Sequence, residues 1–128
     1  MDKHSVKILL VDDEVEVTAV LAKRLGKRGY ICDSAFNGAE CLKKIPVFNP
    51  AIIVMDVKMP VMDGLETLSQ IVATYKSCKT VLLSGHADMK MAVNAMSHGA
   101  FAYLMKPVDF DELLFKIEDA VRELELEN

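Results

Sequence analysis

The 128-residue chain has no tryptophan, only 6% aromatic residues, four prolines and six glycines. So little Pro and Gly excludes a collagen-like or low-complexity polypeptide, and an apolar content of 52% excludes a disordered one. Cysteine is scarce: Cys32, Cys41 and Cys78 are odd in number, form no CxxC pair and have no His at metal-ligand spacing. That excludes a disulfide framework and a Cys/His metal site, and fits buried thiols in a reducing cytoplasm. No run of about 18 apolar residues exists, so no membrane-spanning helix is expected. The start, Met1 to Ser5 before a short apolar run, lacks the layout of a secretory signal. Excess positive charge is missing too: 15 Lys and Arg against 19 Asp and Glu leave −4. Without a basic field, direct contact with nucleic acid is not expected. The length suits one domain with a single core, spanning 1–128.

What is present is a rhythm. Four short apolar runs stand out, Val6 to Val11, Ala51 to Met55, Thr80 to Leu83 and Phe101 to Leu104. Each is strand-length and apolar at consecutive positions, as in parallel strands covered by helices on both faces. Ile31 to Phe36 is a mixed fifth run and is placed at a sheet edge. Helical patterns separate the runs. Val15 to Arg28 carries Val17, Val20, Leu21 and Leu25 on one face and ends before Gly29. Asn37 with Glu40, Asp63 with Glu66, and Asp109 with Glu112 read as N-caps with capping-box partners. A fourth helix near Asp88 to His98 shows Met89, Ala92, Val93 and Met96 as a core stripe, and the last shows Leu113, Ile117, Val121 and Leu124. The acidic end, Glu123 to Asn128, reads as a frayed tail. Strand then helix, five times over, predicts a doubly wound α/β domain with right-handed crossovers.

The strand ends carry the chemistry. Run one stops at Asp12 and Asp13, the Ala51 run at Asp56, the Thr80 run at Ser84, and the last is followed by Lys106. In open α/β sheets ligands bind outside the carboxyl ends of the strands, so these groups are expected at one mouth. Taken singly, each has a plain structural use: either Asp as a helix cap, Asp56 in a turn, Ser84 as a cap, Lys106 as a surface residue before a proline. Together, three converging carboxylates repel one another unless a cation sits among them. Oxygen ligands without His or Cys favour a hard divalent ion, and few protein ligands favour Mg2+ over Ca2+.

At these residues the chain resembles the receiver domain of bacterial two-component response regulators. The resemblance rests on VKILLVDDE (Val6 to Glu14), DVKMPVMDG (Asp56 to Gly64), the Ser84 strand end and YLMKP (Tyr103 to Pro107). It implies a flavodoxin-like fold of the chemotaxis-regulator kind, a five-stranded parallel sheet in the order 2-1-3-4-5 with five helices. It implies a signalling switch, not an enzyme with an external substrate. Asp56 would be the phosphoacceptor, taking a phosphoryl group from a histidine kinase. Asp13, Asp56 and the backbone carbonyl of Lys58 would ligate Mg2+, with Asp12 helping through water. Lys106 and Ser84 would contact phosphoryl oxygens, and the Lys106–Pro107 peptide would be cis. Ser84 and Tyr103 would form the switch, altering the face made by the fourth helix, fifth strand and fifth helix. The implied partners are a sensor histidine kinase or phosphotransfer protein, an output protein or C-terminal output domain, and a second copy on phosphorylation. GAFAYLMKP (Gly99 to Pro107) resembles receivers attached to ATPase-type transcription activators, with Ala102 where Asp is common.

His86, two positions after Ser84, either borders the path of water to the acyl phosphate or is a solvent-facing loop residue. No role is assigned to His4 or His98, and Gly64, Gly85 and Gly99 read as backbone punctuation. Other functions fit less well. A haloacid-dehalogenase-type phosphatase would carry its nucleophile after the first strand in a DxDx(T/V) pattern and needs a cap. A flavodoxin-like electron carrier needs a Ser/Thr/Gly loop where this chain is acidic. A receiver-like module that never takes phosphate would lack part of the set, and all five groups are present.

Overall fold

The computed structural model describes residues 5–59 and 62–127. Pro60 and Val61 of the DVKMPVMDG segment, His4 and Asn128 lie outside the described residues. The strands are β1 (Lys7–Val11), β2 (Ile31–Ala35), β3 (Ile52–Asp56), β4 (Lys79–Ser84) and β5 (Ala102–Met105). They alternate with α1 (Val15–Lys27), α2 (Gly38–Phe48), α3 (Gly64–Thr74), α4 (Met89–Met96) and α5 (Phe110–Glu127). All pairings are parallel, in the order β2-β1-β3-β4-β5, so the fold is the flavodoxin-like doubly wound sheet.

Consecutive apolar residues are needed because successive side chains of a strand feed opposite faces. Ile8, Leu10, Ile52, Val54, Val81 and Leu83 pack with Leu21 and Leu25 of α1 and with Leu113 and Ile117 of α5. Leu9, Val11, Ile53, Met55 and Leu82 pack on the other face with Cys41 and Ile45 of α2, Leu68 and Ile71 of α3, and Ala92 and Ala95 of α4. β2 is the half-exposed edge expected of its mixed sequence. The Phe101 run does not match its reading as buried on both faces: β5 forms the opposite edge, and Tyr103 and Met105 are only half-buried. Of the three free cysteines Cys41 is buried, whereas Cys32 and Cys78 are only half-buried. Burial pushes the Cys32 thiol up to about 11 and Cys41 to about 12, which leaves both protonated and inert at neutral pH.

The capping residues act as their sequence suggests. Asn37 and Asp63 accept from the backbone N–H of Glu40 and Glu66 at 2.8 and 2.9 Å. Asp109 accepts from Asp111 and Glu112 at 2.9 and 3.2 Å. Three expectations need correction. On α1, Val20 is 57% exposed and Thr18 takes the inward place, its hydroxyl donating to the Val15 carbonyl. α4 is shorter than Asp88 to His98, and its buried face is Ala92 and Ala95, leaving Val93 and Met96 exposed. Of the methionines there, Met96 faces outward while Met89 and Met91 are half-buried, because two alanines suffice to rest a short helix on the sheet. The acidic end is not frayed: α5 runs through Glu127, whose carboxylate accepts from Lys79 at 2.6 Å.

Candidate functional site

The first strand delivers Asp12 and Asp13 to the carboxyl edge of the sheet. Asp12 is 3% exposed, tied down by its own backbone N–H to the Ala35 carbonyl at 3.1 Å and by its Oδ1, which accepts from the Glu14 N–H at 2.9 Å. Asp13 follows it and is exposed. Asp56 ends β3, is 6% exposed, and accepts from the Lys58 N–H at 3.1 Å through Oδ1. The chain turns there tightly: Gly64 N–H donates to the Val57 carbonyl at 2.7 Å, and a Cβ on Gly64 would lie 2.7 Å from the Val57 Cα. Only glycine fits that approach.

Lys106 arrives from β5. Its N–H donates to the Ser84 carbonyl at 2.8 Å, and its peptide to Pro107 is cis. Its ammonium donates to Asp56 Oδ2 at 2.8 Å and Asp12 Oδ2 at 3.3 Å, with Glu14 Oε1 at 3.6 Å. One lysine therefore serves two buried carboxylates and one exposed one. Burial alone would lower the Lys106 pKa, but the hydrogen bond and charge of Asp56, followed by those of Asp12, outweigh it and hold the ammonium above its ordinary range. Asp12 is pushed up, chiefly by burial, against the lowering effects of the Glu14 N–H and Lys106.

The carboxylates converge as the sequence suggested. One oxygen each from Asp12, Asp13 and Asp56 lies within 4.8 Å of the others. An all-oxygen donor set this close fits a hard divalent ion. A cleft of about 500 Å³ opens over it, with Asp13, Asp56, Lys58 and Lys106 in its wall. Glu14 and Asp88 also line it. Neither was singled out from the sequence: Glu14 follows the acidic pair directly, which was a usable signal, but nothing local marks Asp88.

Two residues stand back. Ser84 is fully buried, does not line the cleft, and donates its hydroxyl to the Gly85 carbonyl at 3.0 Å. Tyr103 is half-buried on the edge strand, packed against the cluster that contains Ala92 and Ala95. His86 is exposed and does not line the cleft. Gly85 is not the punctuation it resembled, since its φ of −72° suits any residue and a Cβ there would meet only Asp88 Oδ2, at 3.6 Å.

A doubly wound parallel sheet with acidic β1 and β3 ends and a lysine after β5 is a specific combination, and comparison with known proteins names the class it belongs to. The model of the response regulator receiver domain matches residues 8–118. The chain belongs to the response regulator receiver family. It is similar to the DNA-binding transcriptional regulator NtrC of Escherichia coli K12, 36% identical over 114 residues that make up 89% of this chain and 24% of that protein. It is also similar to the regulatory protein AtoC of the same organism, 33% identical and covering 91% of this chain and 25% of AtoC. The chain thus spans about a quarter of the length of these curated relatives. Among solved structures, a response regulator receiver domain protein from Clostridium thermocellum superposes with a TM-score of 0.92 at 30% identity, covering 96% of this chain and 99% of that one. A CheY-like receiver from Methanospirillum hungatei JF-1 gives 0.90 at 32% identity, covering 96% and 98%.

Among the described residues no helix is long and apolar enough to cross a membrane.

Proposed function

We propose that this receiver accepts a phosphoryl group on Asp56 from a histidine kinase or phosphotransfer protein. The observation that carries the reading is the setting of Asp56: nearly buried, at the floor of an open cleft, with Oδ2 held by Lys106 at 2.8 Å and the carboxylates of Asp12 and Asp13 beside it. A carboxylate oxygen of Asp56 bonds to phosphorus as the P–N bond of the donor phosphohistidine breaks, and the electron pair returns to the imidazole. Phosphoryl transfer asks mainly for positioning and charge neutralisation. Lys106 supplies a fixed positive charge facing the transferred oxygens, and the cleft leaves the approach to Asp56 open.

Asp13, Asp56 and the Lys58 carbonyl would hold Mg2+, with Asp12 contributing through water. Bound there, the ion supplies charge neutralisation for the carboxylates and the phosphoryl oxygens. Ser84 would leave the Gly85 carbonyl for a phosphoryl oxygen, and Tyr103 would turn toward the space behind it. α4 suits such a change because it rests on the sheet through Ala92 and Ala95. In this reading 1–128 is one cytoplasmic receiver that promotes only its own phosphorylation and dephosphorylation and does not touch nucleic acid itself. It would act on an output protein or C-terminal output domain and pair with a second copy when modified. The length of relatives such as NtrC supports the attached output domain. An apolar groove of about 480 Å³ adjoins the cleft, sharing Glu14 and Lys106 with it and lined by Val17, Val20, Leu21 and Val108. It supports docking of the phosphodonor beside Asp56.

The test is intact-mass measurement after acetyl phosphate and Mg2+: one phosphoryl group on the wild type and none on Asp56→Asn. Equal labelling of the two overturns the assignment. For the metal, Asp13→Ala is expected to abolish Mg2+ binding by calorimetry, whereas Asp12→Ala is expected only to weaken it.

A further inference from the structure

Asp88 ends the 3-10 turn His86–Asp88 that leads from Gly85 into α4: its backbone N–H donates to the Gly85 carbonyl at 3.0 Å, and its side chain makes no cap hydrogen bond. Its half-buried carboxylate instead folds back over Gly85, where a Cβ would lie 3.6 Å from Oδ2, and lines the same cleft as Asp56. The absence of a side chain on Gly85 leaves that space open to the cleft. Among the described residues no cation pairs with Asp88, and the ammonium of Lys106 is already shared by Asp12, Asp56 and Glu14. Among the described residues no ion pair therefore cancels this charge, and the cations in the wall of the same cleft are Lys58 and Lys106.

We infer that Asp88 is a positioning residue that acts against the phosphorylated state: its carboxylate opposes the negative charge a phosphoryl group brings to Asp56 and so limits how fully the cleft is occupied. The inference rests on Asp56 being the phosphoacceptor. Modification adds about one further negative charge to the cleft, and like charges across a partly solvated gap repel modestly. The same charge attracts a cation. Asp88 thus favours the metal and disfavours the phosphoryl group, and the balance between the two sets the level of modification at a given supply of donor.

The experiment compares wild type, Asp88→Asn and Asp88→Glu, titrated by NMR first with Mg2+ and then with beryllium fluoride at saturating Mg2+. Asp88→Asn is expected to bind beryllium fluoride about threefold to fivefold more tightly and Mg2+ more weakly, with both differences shrinking as salt rises from about 0.05 to 0.5 M. Asp88→Glu is expected to keep wild-type behaviour, and all three proteins to melt at the same temperature, since no cap bond is lost. Opposite changes for anion and cation are the signature of charge, which a disturbed helix start would not produce. Unchanged beryllium fluoride affinity in Asp88→Asn, or tightening that is equal in Asp88→Glu and indifferent to salt, overturns the inference while Asp56 still labels. Failure of all three proteins to bind beryllium fluoride or to be labelled overturns the phosphoacceptor reading and this inference with it.

Discussion

The interior of the sheet and the mouth at its carboxyl edge are built from the same strands under opposite rules. In the interior, Ile8, Leu9, Ile52 and Ile53 are fully buried within the two apolar clusters, so the stability they add does not depend on pH or salt. A few residues further along the same strands, Asp12 and Asp56 are almost as buried but charged, and one partly exposed lysine holds both. Burying charges costs more than most pairings return. The mouth is therefore carried by the interior, and its residues answer to chemistry rather than to stability.

Substitutions separate the two regions, and the largest effect belongs to the interior. Ile53→Ala, at a site closed on all sides, is expected to lose about 3–4 kcal/mol in urea unfolding, with or without divalent ion. Lys106→Met leaves Asp12 and Asp56 without their cation and is expected to lose about 1–3 kcal/mol in metal-free buffer, the lower end applying because a quarter of the lysine side chain is exposed. A lysine whose folded pKa is raised contributes its full share below its ordinary value of 10.5 and loses it as pH climbs through the higher folded value. The gap between Lys106→Met and wild type should accordingly hold steady from neutral pH to about 10 and close only in stronger alkali. A gap that closed near pH 8 would show that the ion pair does not stabilise the mouth.

Asp12→Asn should move the other way. Burial raises the pKa of Asp12, so its favourable share is full below 3.8 and is lost as pH rises through the folded value. At neutral pH and without metal the variant is expected to gain up to about 1 kcal/mol, and its stability should fall less than that of the wild type as pH rises above 3.8. A loss at neutral pH would mean that Lys106 more than compensates the burial of Asp12. The smallest effect lies on α4, where Val93→Ala, at a side chain 53% exposed, is expected to stay within about 0.5 kcal/mol of wild type.

Several features were legible in the sequence because they are local. Asp12, Asp13 and Asp56 interrupt apolar runs that would otherwise continue, and a charged residue at such a stop has few places to go except the strand end. Asn37, Asp63 and Asp109 announce helix starts by spacing to a glutamate, and the structure has all three bonds to the helix N–H groups. Even there a detail escaped: the Glu40 carboxylate reaches the N–H of Phe36, not that of Asn37.

Other features depended on what lies across the gap. Helical period identifies which residues share a face, but the width of the buried stripe depends on how closely the neighbouring elements approach, and that sent Val20, Val93 and Met96 outward. The hydroxyl of Ser84 donates to the Gly85 carbonyl, a choice no spacing encodes.

By itself the sequence determined the alternation of strand and helix, the two-sided burial of the central strands and the set of polar groups at their carboxyl ends, since each follows from the order of apolar and polar residues along a short stretch. Only the tertiary structure decided that one lysine would serve both Asp12 and Asp56, that Glu14 and Asp88 would join the cleft, and which apolar side chains would be left in water. Those outcomes depend on distances between segments far apart in the chain, 94 residues for Lys106 and Asp12, and such distances arise only when the sheet brings its strand ends together.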